Sequence, residues 1–198
     1  LVRLGFTEGW ELRLGWQGLA RTEVEGRGRA VTEEGALDAE LGAKVLLHGA
    51  EAGGLQTALL FGTSVPVGEE GFSSERFDPS FRFNLAHELG GGWSIGYNLG
   101  AEWATEEPEA SGNGRSTLSR WIYTVAAGRG LGERWGVFLE AYGDLSGSRG
   151  GPPAHALDGG FTYLVHPRLQ LDVAAGVGLS DAAGDYFVGL GVSYRGPF

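Results

Sequence analysis

The chain has 198 residues, 37 of them Gly, no Cys, no Met and a formal net charge of -10. Gly stands far above its average share of roughly 7%, yet 42% apolar and 11% aromatic content argue against disorder. The lack of Cys excludes disulfides, thiolate metal sites and Cys nucleophiles. The acidic balance gives no support for a nucleic-acid partner, which calls for clustered Lys and Arg.

Taken in chain order, period-2 alternation predicts eleven strands, at 1–7, 10–19, 37–48, 55–65, 80–89, 93–104, 117–128, 135–145, 156–165, 169–179 and 185–195. Near the start, Trp10, Leu12, Leu14 and Trp16 oppose Glu11, Arg13, Gly15 and Gln17. Mid-chain, Trp93, Ile95, Tyr97, Leu99, Ala101 and Trp103 oppose Ser94, Gly96, Asn98, Gly100 and Glu102. Near the end, Leu169, Leu171, Val173, Ala175 and Val177 oppose Gln170, Asp172, Ala174, Gly176 and Gly178. No stretch has a helical period, so the chain reads as all-β.

Short links at 7–9, 49–54, 90–92, 129–134 and 166–168 alternate with long polar ones at 20–36, 66–79, 105–116 and 146–155. Only the link at 180–184 breaks the pattern. That alternation predicts an up-and-down antiparallel transmembrane β-barrel with short periplasmic turns and longer outer loops. Counting parity back from the last strand starts the chain at the outer rim. The expectation is then one N-terminal strand missing before Leu1, about twelve in the full barrel, with 1–198 forming a single outer-membrane domain.

The aromatic residues favour a lipid-facing apolar side. Trp10, Trp93, Trp135 and Tyr163 fall near the short turns, and Trp103, Trp121 and Tyr186 near the long loops. The strand from Trp93 to Trp103, tilted by about 40°, spans about 25 Å of membrane. These residues are the expected membrane-interface aromatics.

The other face carries Arg3, Glu11, Arg13, Asp38, Lys44, Arg82, Glu102, Arg120, Glu140, Asp158 and Asp172. They are expected to line a narrow polar lumen, either tuning transport or pairing across strands to hold the wall together. Glu11 with Arg13 and Lys44, and Arg120 with Glu102 and Glu140, are the candidate pairs. No cofactor, metal or catalytic residue is predicted. His87-Glu88 opens like a zinc HExxH, but Gly91 takes the second His position and the segment is a strand. His155 and Asp158, with Ser146 and Ser148 across the loop, leave a hydrolase at the extracellular rim as an alternative. A structural or plugged barrel is a third.

Phe138-Leu139-Glu140-Ala141-Tyr142-Gly143, Asp158-Gly159-Gly160-Phe161-Thr162-Tyr163, Gln170-Leu171-Asp172 and Gly191-Val192-Ser193-Tyr194-Arg195 follow one another in the C-terminal half. Upstream stand Val2-Arg3-Leu4-Gly5, Glu11-Leu12-Arg13 and the strand from Asp38 to Lys44. In order and spacing these resemble the phenol meta-pathway degradation family of outer-membrane barrels. Arg3, Glu11, Arg13, Lys44, Glu140, Asp158 and Asp172 occupy the matching motif positions. The resemblance implies a bacterial outer-membrane transporter for small aromatic or hydrophobic compounds. It also implies lipid, a small-molecule solute and the outer-membrane assembly machinery as partners.

Overall fold

A computed structural model describes residues 1–26, 29–49, 54–106, 116–146 and 152–196. The described residues form thirteen strands and no helix: β1 (Val2–Thr7), β2 (Trp10–Trp16), β3 (Leu19–Gly26), β4 (Arg29–Ala36), β5 (Ala39–His48), β6 (Leu55–Val65), β7 (Pro79–Gly90), β8 (Trp93–Glu106), β9 (Ser116–Leu131), β10 (Trp135–Ser146), β11 (His155–His166), β12 (Leu169–Gly178) and β13 (Tyr186–Tyr194). Eleven of them make one sheet in the order β1-β2-β5-β6-β7-β8-β9-β10-β11-β12-β13. Every ladder with a resolved register is antiparallel.

The all-β antiparallel class and the eleven expected strands are therefore found, but the total is corrected to thirteen. The segment expected as a long polar loop, 20–36, is largely a hairpin, with β3 and β4 paired in a sheet of their own from Leu19↔Ala36 to Gly26↔Arg29. Its strands alternate too little apolar side chain to mark either face, so only backbone pairing reveals it. No helix among the described residues is long and apolar enough to cross a membrane, which says nothing about crossing by strands.

Packing divides the chain into two units. The first holds 1–46, 59–82 and 101–119. Its buried residues include Ala101, Leu118 and Asp38. The second holds 47–58, 83–100 and 120–198, with Ala58 its buried apolar side chain among the described residues. No large side chain among the described residues is fully buried. The exposed surface is 13574 Å², whereas a soluble monomer of 20.9 kDa would expose about 9,000 Å².

Many large apolar side chains on the strands are exposed. In the first unit Trp10 is 55% exposed; in the second Trp135 is 53% and Tyr186 79% exposed. Half-buried Glu140, Asp158 and Asp172 lie on the opposite strand parity. This inverts the usual soluble arrangement of apolar inside and polar outside.

The β7–β8 turn shows one use of the abundant glycine. Gly90, Gly91 and Gly92 have φ of 75°, 60° and 79°, a left-handed run that side chains with a Cβ resist. A Cβ at Gly92 would also stand 3.2 Å from the Gly130 carbonyl oxygen.

Candidate functional site

In the second unit, polar side chains form a chain of contacts across successive strands. The Asn84 side-chain Nδ2 of β7 donates to the side-chain Oδ1 of Asn98 on β8. Asn98 in turn donates to the Thr124 hydroxyl of β9 at 2.5 Å, and Thr124 also hydrogen-bonds Glu140 on β10. Glu140 sits directly opposite Asp158 of β11, and Asp158 opposite Gly176 of β12. Asp158 Oδ1 is buried with no hydrogen-bond partner among the described residues. On β12 Asp172 faces Thr162 on one side and Gly191 on the other. A Cβ at Gly176 or Gly191 would run into the Asp158 or Asp172 side chain respectively.

In the first unit the charges cluster around a cavity of about 400 Å³. Arg13, Gln17, Glu40, Ser80, Arg82 and Glu102 line it, with Gly15, Gly42 and Gly62 between them. Arg3 is the direct cross-strand partner of Arg13. The ion pair recorded here is Arg13 Nε to Glu11 Oε1 at 3.3 Å; Lys44 lies across from Glu11 in register. Gln17 donates to Glu40 at 2.7 Å. The charges of Arg3, Glu11, Arg82 and Glu40 all act on the Arg13 guanidinium. Arg120 lies on β9 in the second unit, half-buried.

Asp38 has a different place from the one expected. It precedes β5, outside any strand, and is 8% exposed. Its carboxylate accepts the Gly68 and Ser74 amides, each at 2.9 Å, and the Ser74 hydroxyl at 3.2 Å. Burial alone would raise its pKa, but these bonds and one from the Ser73 hydroxyl outweigh it and hold the carboxyl below its ordinary value. Nearby, the Glu69 amide donates to the Ala36 carbonyl at 2.9 Å, and the Phe72 ring occupies the space a side chain at buried Gly35 would need. The stretch after β6 is thereby fastened beside the base of the β3–β4 hairpin.

The expected interface aromatics sit on the exposed apolar face. Trp10, Trp93, Trp103, Trp121, Trp135 and Tyr186 are each more than a third exposed, and Tyr163 is half-buried. Trp135 and Tyr163 are cross-strand partners with ring centroids 4.6 Å apart. The Arg129 guanidinium lies 5.1 Å from the Trp93 ring centre, and Phe81 packs on Trp103 at 6.1 Å.

The rim-hydrolase grouping is not brought together. His155 and Asp158 are three residues apart on β11, so they project from opposite faces. His155 Nδ1 is instead 3.0 Å from the Tyr123 hydroxyl. Ser148 lies outside the described residues. His87 also contacts a tyrosine, its Nε2 being 2.6 Å from the Tyr97 hydroxyl. No group of His, Cys, Asp and Glu suited to a metal occurs among the described residues.

Sequence reasoning set Asn98 on the polar face but did not single it out as a site residue, and it missed Ser80, Asn84 and Thr124, all neutral. The signal was available: Ser80 and Asn84 share strand parity with Arg82, Asn98 with Glu102, and Thr124 with Arg120.

No curated protein matches the chain. A family model does, over residues 7–196, and it is described as "Putative MetA-pathway of phenol degradation". That match spans nearly the whole chain and bears out the resemblance of the motifs; the protein belongs to this family.

Proposed function

We propose that this chain is a β-barrel channel of the bacterial outer membrane, passing small molecules along its polar face. In this reading the eleven-stranded sheet forms most of a barrel wall. The exposed aromatics then contact lipid, and Arg3, Glu11, Arg13, Lys44, Arg82, Glu102, Arg120, Glu140, Asp158 and Asp172 line the path. Outer-membrane assembly machinery would insert it. The family's name ties the protein to phenol degradation and so favours small aromatic or hydrophobic solutes.

The observation that carries the reading is the inverted exposure. Trp10 and Trp135 stand more than half exposed while no large side chain among the described residues is fully buried. Leaving such side chains in water forgoes about 1.5–3 kcal/mol each; a bilayer removes that cost. Membrane barrels place apolar residues outward and polar ones inward along each strand. The positions of His155 and Asp158 on opposite faces give the hydrolase alternative no support.

The test is to refold the full chain into liposomes and measure swelling with small neutral solutes alongside single-channel conductance. Solute-dependent swelling and discrete conductance steps are expected. Correctly folded protein that passes neither solute nor ions would overturn the reading.

A further inference from the structure

We infer that the recess in the first unit is a binding site for a small organic monocarboxylate, held by Arg82 and Ser80. The two residues are two apart on β7, so their side chains leave the same face. Both line the cavity of about 400 Å³, within the size range of ligand sites. Neither side chain makes a hydrogen bond or ion pair with the described residues.

The other charged lining groups are engaged. Arg13 is paired with Glu11, and Glu40 accepts from Gln17. Asp78 accepts the Thr105 amide at 3.0 Å and its hydroxyl at 2.7 Å, and Glu102 is not free either. Arg82 and Ser80 are thus donors left to meet a ligand, beside Arg13, whose buried Nε makes no hydrogen bond with the described residues. A guanidinium offers a planar fork of N–H groups that matches a carboxylate in two parallel bonds, and a hydroxyl adds one more. An inorganic cation would meet Arg82 with Arg13 close behind it.

The floor of the recess is glycine. A Cβ at Gly62 would stand 3.2 Å from Ser80 Oγ, and one at Gly42 only 2.8 Å from the Phe61 carbonyl oxygen. Side chains at these positions would occupy the space beneath the donors. Only the consequence for transport rests on the channel reading; binding is measured apart from flux.

Benzoate is the probe, with benzamide as its neutral counterpart, titrated calorimetrically into the full chain folded in detergent. Benzoate is expected to bind and benzamide to bind at least about tenfold more weakly, since a charged hydrogen-bonded pair is lost. Arg82→Gln should weaken benzoate by a similar factor. Gly62→Val should do the same with every charge kept. Arg82→Lys, which keeps the positive charge that Arg82→Gln removes, should weaken it less. Equal affinity for the two probes, or unchanged benzoate binding in both Arg82→Gln and Gly62→Val, would overturn the site. Benzoate binding without any solute flux in liposomes would sink the channel and leave this site standing. Flux without benzoate binding would do the reverse.

Discussion

Glu140 and Asp158 face each other directly across the β10–β11 ladder, two carboxylates on one face of the sheet. Like charges in direct opposition cost a β-ladder about 0.2–1 kcal/mol. Thr124 reaches only the Glu140 side of the pair. Converting one carboxylate to its amide keeps the shape and removes the repulsion. Asp158→Asn is therefore expected to leave the folded protein as stable as the parent or up to about 1 kcal/mol more so. Urea unfolding of the liposome-inserted protein measures it. A loss of stability above that size would mean the Asp158 charge is held by a favourable contact that the opposition argument omits.

Glycine opposite Asp158 and Asp172 has a spatial reason that substitution can test. Gly176 pairs with Asp158 and Gly191 with Asp172, and a Cβ at either meets the carboxylate side chain. At Gly176 the Phe187 ring crowds the same space. Gly176→Val should destabilise by about 1–3 kcal/mol, the usual cost of overpacking. Gly189, whose Cβ would meet nothing within 4 Å, serves as the comparison. Gly189→Val is expected to change stability far less, and equal losses at both positions would refute the crowding argument.

What the sequence disclosed follows from which interactions leave a local pattern. The strand from Trp93 to Glu106 was legible because apolar and polar side chains alternate along it. The β3–β4 hairpin was not, since Leu19–Gly26 and Arg29–Ala36 lack an apolar face to mark the strands. Charged positions such as Glu140 and Asp172 stood out by type, whereas Asn84, Asn98 and Thr124 did not. Asp38 looked like one more strand carboxylate because its partners Gly68 and Ser74 lie thirty and thirty-six residues away. Long-range hydrogen bonds to backbone amides leave no spacing to read.

The Asp38 latch carries a pH dependence of defined sign. Its folded-state pKa is below the ordinary value, so the stabilisation is fully present above the ordinary carboxylate range, about 3.9. It is lost as pH falls through the lowered folded value. Amide hydrogen exchange at Gly68 and Ser74 reads this locally. Both amides should stay protected at pH 5 and lose protection only in stronger acid. Asp38→Ala, which leaves both donors without their acceptor, should raise exchange at pH 5 by the equivalent of about 1–3 kcal/mol. Protection at Gly68 that is the same in Asp38→Ala as in the parent would show that the backbone bond from Glu69 to Ala36 fastens the segment without the carboxylate.

The proposed membrane orientation is open to an optical test. Trp10, Trp93 and Trp135 lie on the exposed apolar face, and in a membrane barrel such residues sit at the lipid–water boundary. Single-Trp variants retaining one of these three, with the others replaced by Phe, report each position separately. In vesicles of brominated lipid, bromine near the headgroup should quench all three strongly, and bromine near the chain ends should quench them less. Aqueous iodide should reach them weakly. A Trp that ignores every brominated lipid yet responds to iodide would lie on the solvent-filled side, and the assignment of faces would have to be reversed. The Trp135→Ala change adds a second reading of the same geometry. It removes the ring contact with Tyr163 at 4.6 Å, worth about 0.5–1.5 kcal/mol beyond area burial. If that face meets lipid, the total loss should be larger in vesicles, where the ring also leaves the membrane interface, than in a short-chain detergent.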